Sequence, residues 1–235
     1  MPNQSPVIAD TLDHQALDRL MSERYSCRAF LPQPVPEETI RKILTTAQKT
    51  ASWNNMQSWG VHLTSGEGTE RFRKALSEHA ATGAEHRRDI PGPREYASVY
   101  LERRRACGFG LYNAVGVERG DKVGYARQTG RNFVFFDAPH LAVITCEEAL
   151  GPYSAVDCGG YVANFMTAAA SLGVASIAQG ALGEYADFIH DHLGIPDTRQ
   201  VVCGISFGYP DRDHPANSFR TDRADLSEVV TWVNE

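Results

Sequence analysis

Apolar residues recur at helical spacing in Leu12, Ala16, Leu17, Leu20 and Met21, which predicts an amphipathic helix over residues 11–23. A loop leads to Pro36, suited to the first turn of a second helix that has Glu37 and Glu38 at its positive end. Ile40, Ile43, Leu44 and Ala47 line one face of that helix, which should stop near Thr50. The period then changes: Trp59 to Thr64 alternates like a strand, Ser65-Gly66 supplies its turn, and a helix is predicted over 67–81. From 82 to 130, Pro91, Gly92, Pro93, many charges and several aromatics interrupt any regular pattern. Helices joined by mobile loops are expected there, forming a variable lid or substrate region. Leu141 to Thr145 reads as a buried strand, and Ser154 to Leu172, apolar on most sides, as a central helix stopped by Gly173. A short strand over Val174 to Ala178, a helix over 184–193 and a core strand over Val201 to Phe207 follow. A short helix over Leu226 to Trp232 ends the chain. No β-α units alternate regularly and no repeat occurs, so the whole chain, 1–235, is expected to form one layered α+β domain.

Composition narrows the function classes. With 235 residues, 42% of them hydrophobic and 22% charged, the chain has ordinary globular content. The net charge of −6 is spread over interspersed residues of both signs, without the basic stripe that a nucleic acid would require. The densest positive run, Arg103-Arg104-Arg105, follows Glu102 and precedes Ala106-Cys107, which fits the polar side of a helix. Cysteines at 27, 107, 146, 158 and 203 are odd in number, widely spaced and without a C-x-x-C pair. That pattern argues against a disulfide framework or a zinc site and favours a reducing, cytoplasmic setting. Met1 to Asp10 has no basic stretch followed by an apolar one, and no apolar run approaches the roughly 18 residues of a membrane span, so neither export nor membrane insertion is expected.

Several motifs fail in context. Gly204-Ile205-Ser206-Phe207-Gly208 matches the G-x-S-x-G hydrolase pattern, but turn residues from Tyr209 to Pro215 follow where a helix is needed, which places Ser206 in or at the end of a strand. Gly108-Phe109-Gly110 has Asn113 where a dinucleotide fingerprint requires its third glycine. His190 and His192 stand two apart on a helix and diverge, so no metal is expected.

Arg24, Ser26 and Arg28 alternate just after a helix, so an extended chain would aim two guanidinium groups and a hydroxyl in one direction. Such a set suits a phosphate, or else a surface ion-pair site. Arg220 and Arg223 form a second basic pair among acidic neighbours and admit the same two readings. The stretch Ala51 to Trp59 is rich in carboxamides that both donate and accept hydrogen bonds, as a flavin edge requires, yet asparagine and serine are equally common in plain turns.

Arg-x-Ser-x-Arg, then Ser-x-x-Asn-x-Gln-x-Trp, then the late arginines resemble the flavin mononucleotide (FMN)-dependent nitroreductase family in order and spacing. Asp157 to Asn164, Ala168 to Val174 and Val201 to Pro210 resemble that family's central helix and apolar strand. Arg103 to Arg105, Leu111-Tyr112 and Phe135 to Pro139 resemble its nitrobenzoate and nitrobenzene reductase branch. The resemblance implies a three-layer fold, a central mixed but mostly antiparallel sheet flanked by helices, and a homodimer with FMN at the subunit interface. It implies that Arg24, Ser26, Arg28, Arg220 and Arg223 hold the phosphate and flavin edge, that Ser52, Asn55 and Gln57 reach the flavin from the partner subunit, and that Gln179-Gly180 presents backbone N–H groups to it. Trp53, Tyr112 and Arg104 are the expected substrate contacts. The implied activity is ping-pong reduction of nitroaromatic or quinone-like acceptors by NAD(P)H, the flavin carrying the chemistry without a catalytic side chain. The chain departs from the family in having Ser58 where proline is usual and Cys27 where an apolar residue is common. Rival readings are another FMN reaction on this fold (dehydrogenation or reductive dehalogenation), a non-enzymatic flavin protein, and a hydrolase built on Ser206.

Overall fold

Four strands, β1 (Gly60–Ser65), β2 (His140–Glu147), β3 (Ala175–Gln179) and β4 (Arg199–Gly208), form one sheet in the order β1-β2-β4-β3. In the computed structural model, which describes residues 11–234, every strand pairing is antiparallel. A parallel bridge, Ser26 to Ser176, continues the sheet beyond β3. β2 is buried along nearly its whole length because both of its faces are covered: Leu141 and Val143 enter one core, Ala142, Ile144 and Cys146 the other. On β4 the alternation inverts, with Val201 in the first core and Cys203, Ile205 and Phe207 in the second. The cause is a bulge, since the register slips between Ile144 and Thr145 and one extra β4 residue reverses the side-chain direction.

Helices α2 (Glu37–Ala47) and α6 (Pro152–Ser171) cover one face of the sheet; α3 (Glu67–Ala81) and α7 (Ala186–Leu193) cover the other. This is the expected three-layer α+β arrangement. α3 has the bounds its periodicity predicts, and α6 is followed by Gly173 at φ 73°, a conformation for which glycine is suited. Pro36 is the N-cap of α2, one position before its expected place. α1 (Leu12–Glu23) is helical as predicted but buries none of its residues, and Leu12 and Met21 are 84% and 61% exposed. In the 82–130 region two helices form, α4 (Ser98–Ala114) and α5 (Lys122–Gly130), and α4 also has no buried residue.

The expected C-terminal helix over 226–232 does not form. Only a 3-10 turn, Leu226–Glu228, is present, opened by a capping box between Asp225 and Glu228. The β-branched Val229, Val230 and Thr231 that follow are weak helix formers, and none of the three is buried enough to compensate. Among the described residues no helix is long and apolar enough to cross a membrane. All five cysteines are free thiols. Met1 to Asp10, read for a leader, lie outside the described residues.

Candidate functional site

The segment after α1 runs in extended form along the edge of β3 and against the chain after β4. Cys27 N donates to Ser176 O at 3.2 Å, and Leu31 N to Tyr209 O at 2.8 Å. Asn217, 4% exposed, fastens this pair of segments: its Nδ2 donates to Ala29 O (2.9 Å) and Asp211 O (2.7 Å), while its Oδ1 accepts from Arg28 N (2.7 Å). Residues from opposite ends of the sequence thereby face one another. Arg24, Ser26, Arg28, Arg220 and Arg223 all line one cavity of about 500 Å³. Arg28 donates to Ser26 O at 3.1 Å and lies 5.2 Å from the Phe219 ring, and Arg220 sits 3.8 Å over the Tyr25 ring.

Among the described residues no carboxylate lines this cavity. The proton affinity of Arg24 is lowered by burial and then by the charge of Arg223, and that of Arg28 is lowered by burial. Half-buried like charges without a counter-ion repel one another and lose solvation, so an anion bound among them relieves both costs. The chemistry of this set fits an anionic phosphate group such as the tail of FMN, which Arg24, Ser26, Arg28, Arg220 and Arg223 could hold.

A second cavity of about 720 Å³ shares Arg28 and Cys107 with the first. Gln179 and Gly180 line it, as do Arg104 and Tyr112 of α4. The Gln179–Gly180 turn is held from three sides. Gln179 Nε2 donates to Asn132 O at 3.0 Å, its Oε1 accepts from Ser206 Oγ, and Arg88 donates to Gly180 O at 3.3 Å. With its carboxamide committed inside the protein, Gln179 offers the cavity its backbone. Gly204 lets the following turn lie on the sheet, since a Cβ there would come within 2.2 Å of Leu182. Ser206 lies within β4, fully buried and bonded to Gln179, as the failed hydrolase motif predicts.

Sequence reasoning missed Asn217, Asn132 and Phe136. Phe136, which lines the second cavity, belongs to a run at positive φ (Phe135 57°, Phe136 51°, Asp137 61°). Each such residue costs on the order of 1–3 kcal/mol, so surrounding contacts must hold the run. Arg73 supplies them, donating to Val134 O and, at 2.7 Å, to Ala138 O, with its guanidinium 5.5 Å from the Phe135 ring. The motif Phe-Phe-Asp-Ala-Pro was visible in the sequence; its backbone conformation was not.

Ser52, Trp53, Asn55 and Gln57 line neither cavity of their own chain. They share a loop with a short 3-10 turn, Trp53–Asn55, anchored by Asp157 of α6, whose carboxylate accepts from Trp53 N at 3.1 and 3.2 Å. Within it Gln57 N donates to Ser52 Oγ (2.9 Å) and Gln57 Nε2 to Asn55 Oδ1 (3.0 Å). The three side chains expected at a partner's flavin thus form one exposed, preorganised group, with Asn54, Asn55 and Gln57 at positive φ and Trp53 packed on Tyr153.

Known proteins share this architecture. Nitroreductase NfnB of Mycolicibacterium smegmatis is 37% identical over 224 residues, covering 93% of each chain. The 4-nitrobenzoate reductase of Pseudomonas putida is 31% identical over 207 residues, covering 88% of this chain and 90% of that one. Among solved structures, FMN-dependent NfnB from Mycobacterium smegmatis in complex with NADPH superposes with a TM-score of 0.87 at 34% identity, covering 93% and 98% of the two chains. The FMN- and NADPH-dependent NfnB from sphigopyxis sp. strain HMH gives 0.89 at 27%, covering 93% and 99%. Residues 21–209 match the Nitroreductase family as a whole, and with that span and those identities the chain belongs to this family.

Proposed function

We propose that this protein is a cytoplasmic, homodimeric FMN-dependent NAD(P)H oxidoreductase that reduces nitroaromatic acceptors, with quinone-like compounds as further acceptors. The observation that carries the proposal is the convergence of Arg24, Arg28, Arg220 and Arg223 on one cavity free of carboxylates, joined through Arg28 to a second cavity with an aromatic wall. Arg24, Ser26, Arg28, Arg220 and Arg223 hold the phosphate, Gln179 and Gly180 present backbone groups to the ring, and Ser52, Asn55 and Gln57 reach it from the partner subunit. Held by these residues, FMN would supply the hydride-transfer chemistry between the nicotinamide donor and the acceptor. The chain supplies position and electrostatics: Ser206, Asn132 and Arg88 fix the turn at Gln179–Gly180, and Arg28 places positive charge where negative charge accumulates. Trp53, Tyr112 and Arg104 contact the acceptor, and the 82–130 region is its variable lid.

The test begins with colour. Purified protein should be yellow, bleach anaerobically with NAD(P)H and recover on addition of a nitroaromatic; parallel double-reciprocal lines should show that donor and acceptor take turns in one site. The double variant Arg24→Ala/Arg223→Ala should lose flavin affinity by about a hundredfold or more, since charge-assisted hydrogen bonds contribute roughly 1.5–3 kcal/mol each. Colourless protein that cannot be reconstituted with FMN would overturn the proposal.

A further inference from the structure

The second cavity carries a charge pattern that holding FMN does not explain. Besides Arg28, three arginines line it, Arg104 and Arg105 from α4 and Arg119 from the turn that follows, and among the described residues no acidic one does. The chain as a whole has 29 acidic against 23 basic residues, so a lining with four guanidinium groups and no carboxylate runs against its composition. Surface arginines ordinarily find acidic neighbours, and the adjacent Arg103 does so, pairing with Glu228 at 3.0 Å on the other side of α4. Among the described residues Arg104, Arg105 and Arg119 have no carboxylate within ion-pair distance.

Two of the three are held by rings. Arg104 lies 4.8 Å from the Tyr96 centroid and Arg119 5.3 Å from that of Phe109, which fixes the guanidinium groups while leaving their N–H edges uncommitted. Below them runs an aromatic wall: Tyr112 and Tyr125 stack at 4.4 Å, and Phe109 meets Tyr112 edge-on at 6.4 Å. Flat apolar surface beside unpaired guanidinium groups is complementary to a planar ring bearing an anionic oxygen group.

Resting on the functional reading above, we infer that Arg104, Arg105 and Arg119 form an anion-selecting rim that favours reaction partners carrying a carboxylate or phosphate beside the reacting ring. Two partners can bring such a group, an aromatic acceptor with its own carboxylate or a nicotinamide donor with an extra phosphate. The rim acts by attraction during encounter and by bidentate hydrogen bonding once the partner is seated, so its effect weakens with salt.

The experiment compares the wild-type holoenzyme with the variant Arg105→Gln/Arg119→Gln, which keeps side-chain polarity and removes two charges. Rapid mixing measures two ratios of second-order rate constants: reoxidation of the reduced enzyme by 4-nitrobenzoate against 4-nitrobenzamide, and reduction of the oxidised enzyme by NADPH against NADH. In the arm whose partner supplies the anion, the wild-type preference should fall about tenfold in the variant, and its decline with ionic strength should flatten. A fall in the first ratio assigns the acceptor's carboxylate, and a fall in the second the donor's phosphate. Both ratios unchanged, including the case where charged and neutral partners slow together, would overturn the rim while leaving the reductase intact. A wild-type enzyme that neither bleaches nor reoxidises would instead sink the functional reading, and the rim with it.

Discussion

Asn217 joins segments that lie 189 positions apart in the sequence, between Arg28 N and its own side chain. Its three hydrogen bonds are buried or partly buried, and its removal would strand the Arg28 N–H and the Asp211 carbonyl, while the Ala29 carbonyl keeps the Asp211 N–H at 3.1 Å. An unpaired buried polar group costs about 1–3 kcal/mol, with some relaxation expected in a solvent-adjacent loop. Asn217→Ala should therefore destabilise the flavin-free protein by about 2–4 kcal/mol in urea melts and lower its flavin content after dialysis. Asn217→Asp, which keeps one acceptor and loses both donors, should behave nearly as badly. Full flavin content in either variant would show that the two arginine clusters hold their places without this staple. At this scale the sequence was informative about chemistry and silent about support. Arg24, Ser26 and Arg28 stand out because their spacing is local, and Arg220 with Arg223 because basic residues are scarce there. Asn217 looks like any turn residue, since its partners are set by the tertiary path alone.

Among the elements, the segment before α4 is tied to the rest of the fold by ionisable contacts. Asp89 accepts from Val201 N at 2.6 Å and from His190 Nε2 at 2.9 Å, while His190 Nδ1 lies 3.1 Å from Ile195 O. With a carboxylate on one ring nitrogen and a carbonyl on the other, both nitrogens serve best as donors, which describes the protonated ring. Burial disfavours that charge, but the hydrogen bonds to Asp89 and Ile195 and the charge of Asp89 outweigh it, so the pKa of His190 is raised above 6.5. A proton held more tightly in the folded than in the unfolded state stabilises fully below the ordinary value, and that contribution fades as the pH rises through the raised one. Melting temperature should accordingly drop from about pH 6.5 upward, and His190→Gln should flatten the slope. An unchanged slope in the variant would place the pH dependence elsewhere. This pairing accounts for part of what the sequence left open between 82 and 130, where the local pattern showed helices only dimly and the tethers come from α7 and β4. By contrast α3, β2 and α6 were legible, because their apolar periods coincide with faces that are in fact buried. The predicted C-terminal helix failed for the complementary reason: Leu226, Val229 and Trp232 stay mostly exposed, so burial does not reward a helix there.

For the whole molecule the same test of burial separates what one chain completes from what it leaves open. The α1 residues Leu12, Leu17 and Met21, Tyr153 and Val156 of α6, and Val229, Trp232 and Val233 near the C-terminus are all large apolar side chains exposed on the single chain. Close to Tyr153 lies the Ser52–Gln57 loop, preorganised but absent from both cavities of its own chain. If two copies pair through this apolar surface, one chain's loop reaches the other's cavities, and each flavin site needs both chains. Complementation distinguishes that arrangement from a site made within one chain. Arg24→Ala/Arg223→Ala and Asn55→Ala/Gln57→Ala should each form dimers with little activity. Co-expressed in equal amounts, half of their dimers should be mixed, with one of the two sites intact, which restores about a quarter of wild-type turnover. The intact site arises only if the loop acts across the interface, because within a single chain every site would still carry one of the two lesions. Recovery near half of the wild-type turnover, measured on purified mixed dimers carrying two different tags, supports the shared site; no recovery in tagged heterodimers of confirmed composition would confine it to one chain.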